Sequence, residues 1–437
     1  MSTTTTTITT VKRSSYSAKG LDFDSHPAEI VTGGQVSTNN ISVQDLRNAI
    51  PAYCFKPTLA KSFYYLFRDL ALVSGLMTAA FKLIPLIENP LLRYPAWALY
   101  GWVQGLAMTG LWVIGHESGH SNFSTSNLLN DIVGWTLHSA LLTPYFSWKS
   151  SHRRHHIYAN NLAKDHNYVP PQREEYANSL LFDVDRLEEL TEDSPIVTLL
   201  RIVLQQVIGF PWYLLTNITA SQGSLHKPHS KNFLGNSHFL PHSTIFRPEE
   251  SHLIILSDLG IGMMAVALHY VSTKIGFELM ALLYLQPYMW VNHWIVAITY
   301  LHHTHPDLPK FEPEAWTFLK GATATVDREF GFIGKHMFHN IIEFHVIHHL
   351  FSRIPQYYAE EATKKVIPLL GDAYHSDKQR PFLPSLWESF TRCQWVEPDD
   401  PTKEPKDRAM WYKAGPSPPV EAMMMKKNKY MSDLIRE

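Results

Sequence analysis

Three short histidine clusters constrain this 437-residue chain more than any other feature. They are His116-Glu117-Ser118-Gly119-His120, His152-Arg153-Arg154-His155-His156 and His345-Val346-Ile347-His348-His349. Neutral imidazole binds first-row transition metals, and eight such groups nearly fill two coordination spheres without any thiolate. Residues three and four apart share a helix face, so each cluster is expected to aim its imidazoles in one direction. Three aimed clusters would enclose one dinuclear site. A chain with 24 histidines produces some pairs by coincidence, and His238 with His242 reads as such a pair. Two copies of H-x-x-H-H plus one H-x-x-x-H are much harder to ascribe to chance.

The residues around the clusters point to a membrane. Hydrophobic residues make up 45% of the chain and are unevenly distributed, with several stretches close to the roughly 20 apolar residues that cross a bilayer. The mean hydropathy of -0.15 requires much of the chain to lie outside it. The expectation is an all-α integral membrane protein with a large aqueous cap. A net charge of -2 gives no reason to expect nucleic acid. The only two cysteines, Cys54 and Cys393, exclude a disulfide framework or a thiolate metal site.

Residues 1–50 are rich in Thr, Ser, Gly and Asn without apolar periodicity, which predicts a flexible cytosolic tail. The main domain is expected over 51–400, and a charged, proline-rich cytosolic tail over 401–437. A first span is expected at about 65–87. A second, Ala96 to Gly115, runs directly into His116. Asn130, Asp131 and His138 interrupt the apolar run 128–146 and Pro144 ends it, which suits a shallow or re-entrant helix. Lys149, Arg153, Arg154 and Lys164 mark the second cluster as cytoplasmic.

Three more apolar segments occupy about 197–220, 252–272 and 276–301. If the third cluster is to meet the other two, an even number of spans must separate His156 from His345. The 197–220 segment contains Arg201, Gln205, Gln206 and Pro211, so it is assigned to the membrane interface. This gives four spans in two hairpins, with both termini and all three clusters cytosolic. The rival has six spans, with 128–146 and 197–220 both crossing. The last span exits through His302-His303-Thr304-His305-Pro306, where either His303 or His305 is a candidate ninth ligand and a polar turn is the alternative.

The first cluster also satisfies H-E-x-x-H, the zinc protease signature. That motif uses two histidines and a catalytic zinc needs only three protein ligands, so the six clustered histidines outside the motif would be left largely without a role. Glu117 is instead expected to orient a ligand histidine. A metal transporter would place its ligands near the bilayer midplane, whereas these clusters follow the spans. A fixed pair of irons beside lipid chains suits oxygen activation, because unactivated C–H bonds need an oxidant stronger than any side chain.

The chain resembles the membrane fatty-acid desaturases that carry three histidine boxes, most closely the microsomal delta-12 (oleate) desaturases. The similarity covers about residues 45–400. It extends to Ile298-Thr299-Tyr300-Leu301, His303-Thr304-His305-Pro306, Ala324-Thr325-Val326-Asp327-Arg328, Phe338-His339-Asn340-Ile341 and His348-His349-Leu350-Phe351. These flanks are more specific than the boxes, which also occur in hydroxylases, epoxygenases and acetylenases. The resemblance implies an endoplasmic-reticulum enzyme using two iron ions, molecular oxygen and electrons from cytochrome b5 and its NAD(P)H-dependent reductase. The substrate would be an oleoyl chain carried on a phospholipid or on CoA. Box by box, the implied ligands are His116, His120, His152, His155, His156, His345, His348 and His349, with Glu117, Asp165 and Asn340 supporting them. Ser118 stands where relatives commonly have Cys, between ligands. No His-Pro-Gly-Gly heme motif occurs, so electrons are expected from a separate protein. Delta-15 (omega-3) desaturation is the nearest alternative outcome, followed by hydroxylation or acetylene formation.

Overall fold

The computed structural model describes residues 41–179, 195–230, 232 and 234–412. Residues 1–40 of the expected tail, residues 180–194 and the end from 413 lie outside the described residues. The described chain is mostly helical. Its four strands form two small pairs, β1 (Asp327–Arg328) parallel to β2 (Ser376–Asp377) and β3 (Val396–Pro398) antiparallel to β4 (Met410–Tyr412).

The first helix, α1 (Val43–Ala49), lies inside the stretch expected as tail. Its start is a reciprocal cap, in which the Ser42 hydroxyl accepts from the Asp45 N–H and the Asp45 carboxylate accepts from the Ser42 N–H. Leu46 and Ile50 are buried in the same cluster as Val346 and Ile347 of the third box, so the N-terminal segment already packs against the site. At the other end β4 carries the fold to Tyr412, inside the expected C-terminal tail.

Two long helices follow. Helix α2 (Leu59–Leu83) leads into α3 (Pro90–Gly119), which starts on the Asn89 side-chain cap with Pro90 in its first turn. At 30 residues, α3 is about 45 Å long, well beyond the roughly 30 Å of a hydrocarbon core. His116 lies in its last turn and His120 caps its end. A polar linker then gives α4 (Asn127–Ala140), and Pro144 starts α5 (Tyr145–Tyr158), which carries the second box. The 14 residues of α4 reach only about 21 Å, short of a crossing.

Next come α6 (Pro195–Thr216), α7 (Ser251–Ile275) and α8 (Gln286–His303). A π-turn over Ala281–Leu285 joins α8 to helical Phe277–Met280, giving one path about 40 Å long. Helix α8 packs along α3 at backbone distance, because a Cβ at Gly105 would lie 2.3 Å from Trp290 Cβ. Only glycine permits that approach. The third box lies on α9 (His345–Leu350), followed by α10 (Gln356–Leu370) and α11 (Phe382–Arg392).

Among the described residues, three helices are long and apolar enough to cross a membrane: Leu59–Leu86, Pro195–Thr216 and Pro248–Ile275. The first and third coincide with expected spans. The other two expected spans fall in α3 and the 277–303 path, the pair packed at the centre. Their interiors hold buried polar residues, among them Gln104 and Asn292, and this lowers their hydropathy. Helix α6 is expected at the interface, yet it runs unbroken through Pro211 at spanning length. Both of its ends are nevertheless tied to one stretch after the second box. Arg201 Nη1 donates to Tyr176 Oη at 3.1 Å, and Tyr213 Oη donates to the His166 carbonyl at 2.9 Å.

Candidate metal centre

Helix geometry explains why H-x-x-H-H suits two metals. Residues i and i+4 are about 40° apart around a helix, whereas adjacent residues diverge by about 100°. In α5, His152 and His156 accordingly face one side and His155 the other. In α9, His345 and His349 share a face and His348 diverges. The structure gathers His116, His120, His152, His156 and His348 into one group, and His155, His303 and His349 into a second, with ligand atoms inside each group within 4.8 Å of one another. His345 joins the second through its Nε2, 3.2 Å from His303 Nε2. The expectation that each box aims in one direction is thus corrected: the second and third boxes each serve both groups.

The nitrogen arrangement tests whether metal ions fit. His152 Nε2 lies 2.9 Å from His116 Nε2, 3.1 Å from His120 Nε2 and 3.0 Å from His156 Nε2. Two ligands at right angles about 2.1 Å from a shared ion stand about 3.0 Å apart. In the second group, His155 Nε2 is 3.3 Å from His303 Nε2. Glu117 Oε1 lies 3.2 Å from His116 Nδ1, and Asp165 Oδ1 lies 2.7 Å from His155 Nδ1. With the carboxylate oxygen acting as acceptor in each pair, Nδ1 of His116 and of His155 carries the proton, and Nε2 of each presents a bare lone pair to its neighbours. Buried lone pairs converging at about 3 Å repel unless a cation lies among them. His348 Nε2 and both ring nitrogens of His349 are buried without any partner. Burial holds His152, His156, His345, His348 and His349 well below the ordinary histidine range, in the neutral form that binds metal. The residues present fit two metal ions.

The remaining expected residues divide clearly. His303 stands within the second group, whereas His305 Nε2 turns to Asp377 Oδ2 at 3.4 Å. Glu117 Oε2 accepts from Asn122 Nδ2 at 2.9 Å and from the Gln356 N–H at 3.3 Å. That carboxylate is occupied as a support. Asp165 also accepts from the backbone of Asn160 and Asn167. Asn340 corrects its expectation: its side chain makes no hydrogen bond to a box histidine. Its contribution is backbone, since His339 and Asn340 adopt consecutive left-handed conformations, φ 55° and 63°, that turn the chain into α9. Ser118 Oγ donates to the Ile114 carbonyl within α3 and takes no part in the cluster. His238 is no ligand, but it is fully buried, with Nε2 3.0 Å from Ser151 Oγ beneath the second box.

Several further residues support the two groups. Lys310 is buried, and its ammonium donates to Asn160 Oδ1 and, at 2.7 Å, to the carbonyl of His303. It sits where the C-terminal ends of α5 and α8 converge, a place that favours a cation. Burial lowers its pKa to about 8. The flank Asp327-Arg328 works as a clamp. Asp327 Oδ1 accepts from the Val346 N–H at 2.7 Å, while Arg328 Nε donates to the Leu301 carbonyl at 3.0 Å. One dipeptide thus fixes the start of α9 relative to the end of α8. His302 stacks on His345 with centroids 4.3 Å apart and pairs its Nδ1 with the Val326 carbonyl at 2.6 Å. A lysine in a loop, such as Lys310, gives no sequence signal of such burial.

A cavity of about 130 Å³ opens directly on these rings, bounded by α3, α6 and α8. Trp112, Phe210, Ile295 and Ile298 make much of its wall apolar, and His116, His152, His155 and His303 line its head. Fold and site together define a membrane-associated protein with a buried imidazole cluster that could hold metal ions beside an apolar cavity.

The chain belongs to the fatty acid desaturase family, whose model matches residues 94–381. It is 43% identical over 379 residues to an oleate hydroxylase of Claviceps purpurea, covering 84% of this chain and 79% of that protein. It is 41% identical over 363 residues to a delta(12) fatty acid desaturase of Mortierella alpina, covering 82% and 88%. With the delta(12)-fatty-acid desaturase of Arabidopsis thaliana the identity is 40% over 374 residues, covering 85% and 91%. The chain is accordingly an oxidoreductase.

Proposed function

We propose that this enzyme introduces the delta-12 double bond into an oleoyl chain, giving linoleoyl, with two irons held by His116, His120, His152, His156 and His348 on one side and by His155, His303, His345 and His349 on the other. The observation that carries this reading is the apolar cavity ending on both imidazole groups. Oxygen and two electrons with two protons are consumed per chain, two hydrogens leave adjacent carbons, and two waters form. The irons, when bound, supply the oxygen-derived oxidant that an unactivated methylene requires. The protein's own residues position and exclude. Glu117 and Asp165 fix the ring tautomers, and the apolar walls hold the chain against the rings and keep bulk water away.

The four-span reading is supported by α2, α3, α7 and the 277–303 path as two hairpins, with α6 at the interface because both its ends return to the cap. The short α4 speaks against six. In this reading the domain of 51–400 extends upstream to include α1, both termini face the cytosol of an endoplasmic-reticulum membrane, and cytochrome b5 with its reductase supplies electrons to an acyl chain on phospholipid or CoA. The protease alternative fits poorly, since both Glu117 oxygens are engaged.

A second reading, hydroxylation at the same position, is favoured by the identity to the Claviceps purpurea enzyme. Expression in a host lacking polyunsaturated lipids, followed by gas chromatography with mass spectrometry, decides. Linoleate is the expected product, hydroxyoleate would establish the second reading, and an unchanged profile in iron-loaded membranes would refute both.

A further inference from the structure

We infer that Gly209 of α6, facing Val296 of α8, sets the length of acyl chain that the pocket admits. This rests on the reading of the cavity as an acyl channel. Both residues line it. Val296 stands seven residues before His303, and Thr109, on a third wall, stands seven before His116, which places this level about 10 Å from the rings along the helix axes. Close to the rings the wall is made of large aromatics, Trp112, Trp148 and Tyr300. At the deeper level a glycine faces a valine.

Glycine inside a helix needs a packing reason, because alanine holds the helix better. Here the reason is space. A Cβ built on Gly209 would meet Val296 Cγ2 at 3.3 Å, Gln205 Cγ at 3.4 Å and Val296 Cγ1 at 3.5 Å. These are tight contacts without overlap of backbone, so a methyl fits once Val296 gives by a few tenths of an ångström. Any larger side chain must take volume from the channel. The part of the chain beyond the oxidised carbon therefore meets a boundary whose position depends on one missing side chain. One methylene in an apolar pocket discriminates by about 10- to 200-fold.

The test uses the full-length protein in membranes supplied with equal palmitoleate and oleate. Two quantities are measured: the ratio of C16 to C18 dienes, and the acyl chain lengths retained by the purified protein, extracted and identified by mass spectrometry. Gly209→Ala should raise the C16 share several-fold and Gly209→Leu by at least about tenfold, in retained chains as well as in products. Val296→Ala should move selectivity toward longer chains, and Gly209→Ala with Val296→Ala should restore the wild-type ratio, which general loosening of the fold would not do. Unchanged retained and product ratios across Gly209→Ala, Gly209→Leu and Val296→Ala overturn the inference. If retained chains shift as expected while wild type makes no diene, the assignment of Gly209 stands and the desaturase reading falls.

Discussion

Replacing Asp165 by Asn changes one oxygen to NH₂ and confronts the second metal group with two incompatible demands. Asp165 is 1% exposed. Its Oδ1 accepts from His155 Nδ1 at 2.7 Å and from the Asn167 N–H at 2.9 Å, and its Oδ2 accepts from the Asn160 N–H at 2.8 Å. If the oxygen of the new amide faces His155, the NH₂ faces the Asn160 N–H and leaves a buried donor without an acceptor, costing about 1–3 kcal/mol. If the amide turns over, NH₂ meets His155 Nδ1 and forces its proton to Nε2, which removes a metal ligand. Either route weakens the site through His155, and loss of a carboxylate supporting a ligand histidine typically lowers metal affinity about 10- to 100-fold, or about 1.4–2.7 kcal/mol. The effect is confined to one group, because His116 has its own carboxylate in Glu117. Iron analysis under graded chelator should show the variant falling from two irons per chain to one at chelator concentrations that leave wild type full. Glu117→Gln should weaken the other iron instead. Two irons retained by Asp165→Asn with wild-type chelator sensitivity would refute the assignment of Asp165 as the orienting group.

Three other outcomes are expected. His303→Ala should lower iron occupancy and abolish turnover, whereas His305→Ala, facing Asp377, should keep both irons; equal iron loss in the two variants would contradict the geometry. Asp327→Ala removes the acceptor for the Val346 N–H and for Tyr374 Oη, and should cost about 2–4 kcal/mol in thermal or denaturant unfolding of the solubilised protein while Tyr374→Phe costs less. His238→Ala should lower stability by about 2 kcal/mol and leave the iron count at two, because the imidazole bonds the Ser151 hydroxyl of α5 and joins neither metal group.

The site is more legible in the sequence than the membrane topology. Spacing alone identifies eight imidazoles, since i, i+3 and i+4 positions meet on helices, and the structure brings all eight together. What spacing does not reveal is their division. A repeated HH pair diverges by about 100°, so its two rings serve different groups only when the helix lies between them, and that placement comes from tertiary packing. His303 and His305 look equivalent in sequence because both follow a helix end; α8 continues through His303 and stops, so one residue stays in helical register and the other turns away. Lys310 illustrates the opposite limit. Its burial results from the convergence of two helix ends distant in sequence, and no local pattern encodes that.

The difficulty with topology has a physical origin in what each helix packs against. A helix exposed to lipid must be apolar all round its outer face, and α7 meets that condition. A helix enclosed by other helices is free to carry glycine for close approach and polar groups that find partners inside the protein. Gln104 of α3 donates to the Val73 carbonyl at 3.1 Å, and Gly105 admits Trp290. Hydropathy therefore ranks the two central helices below α6, although α3 is the longer element and delivers the first box. Length and anchoring separate the cases better. Helix α3 exceeds the slab by about 15 Å, as a helix must if it is to cross and still present ligands beyond it. Helix α6 has no such surplus, and its Arg201 and Tyr213 are tied to the same cap stretch. Reporter tags inserted near residues 170 and 225 should accordingly both be cytosolic; a lumenal tag at 225 would mean that α6 crosses and would break the pairing of spans that brings the third box to the first two.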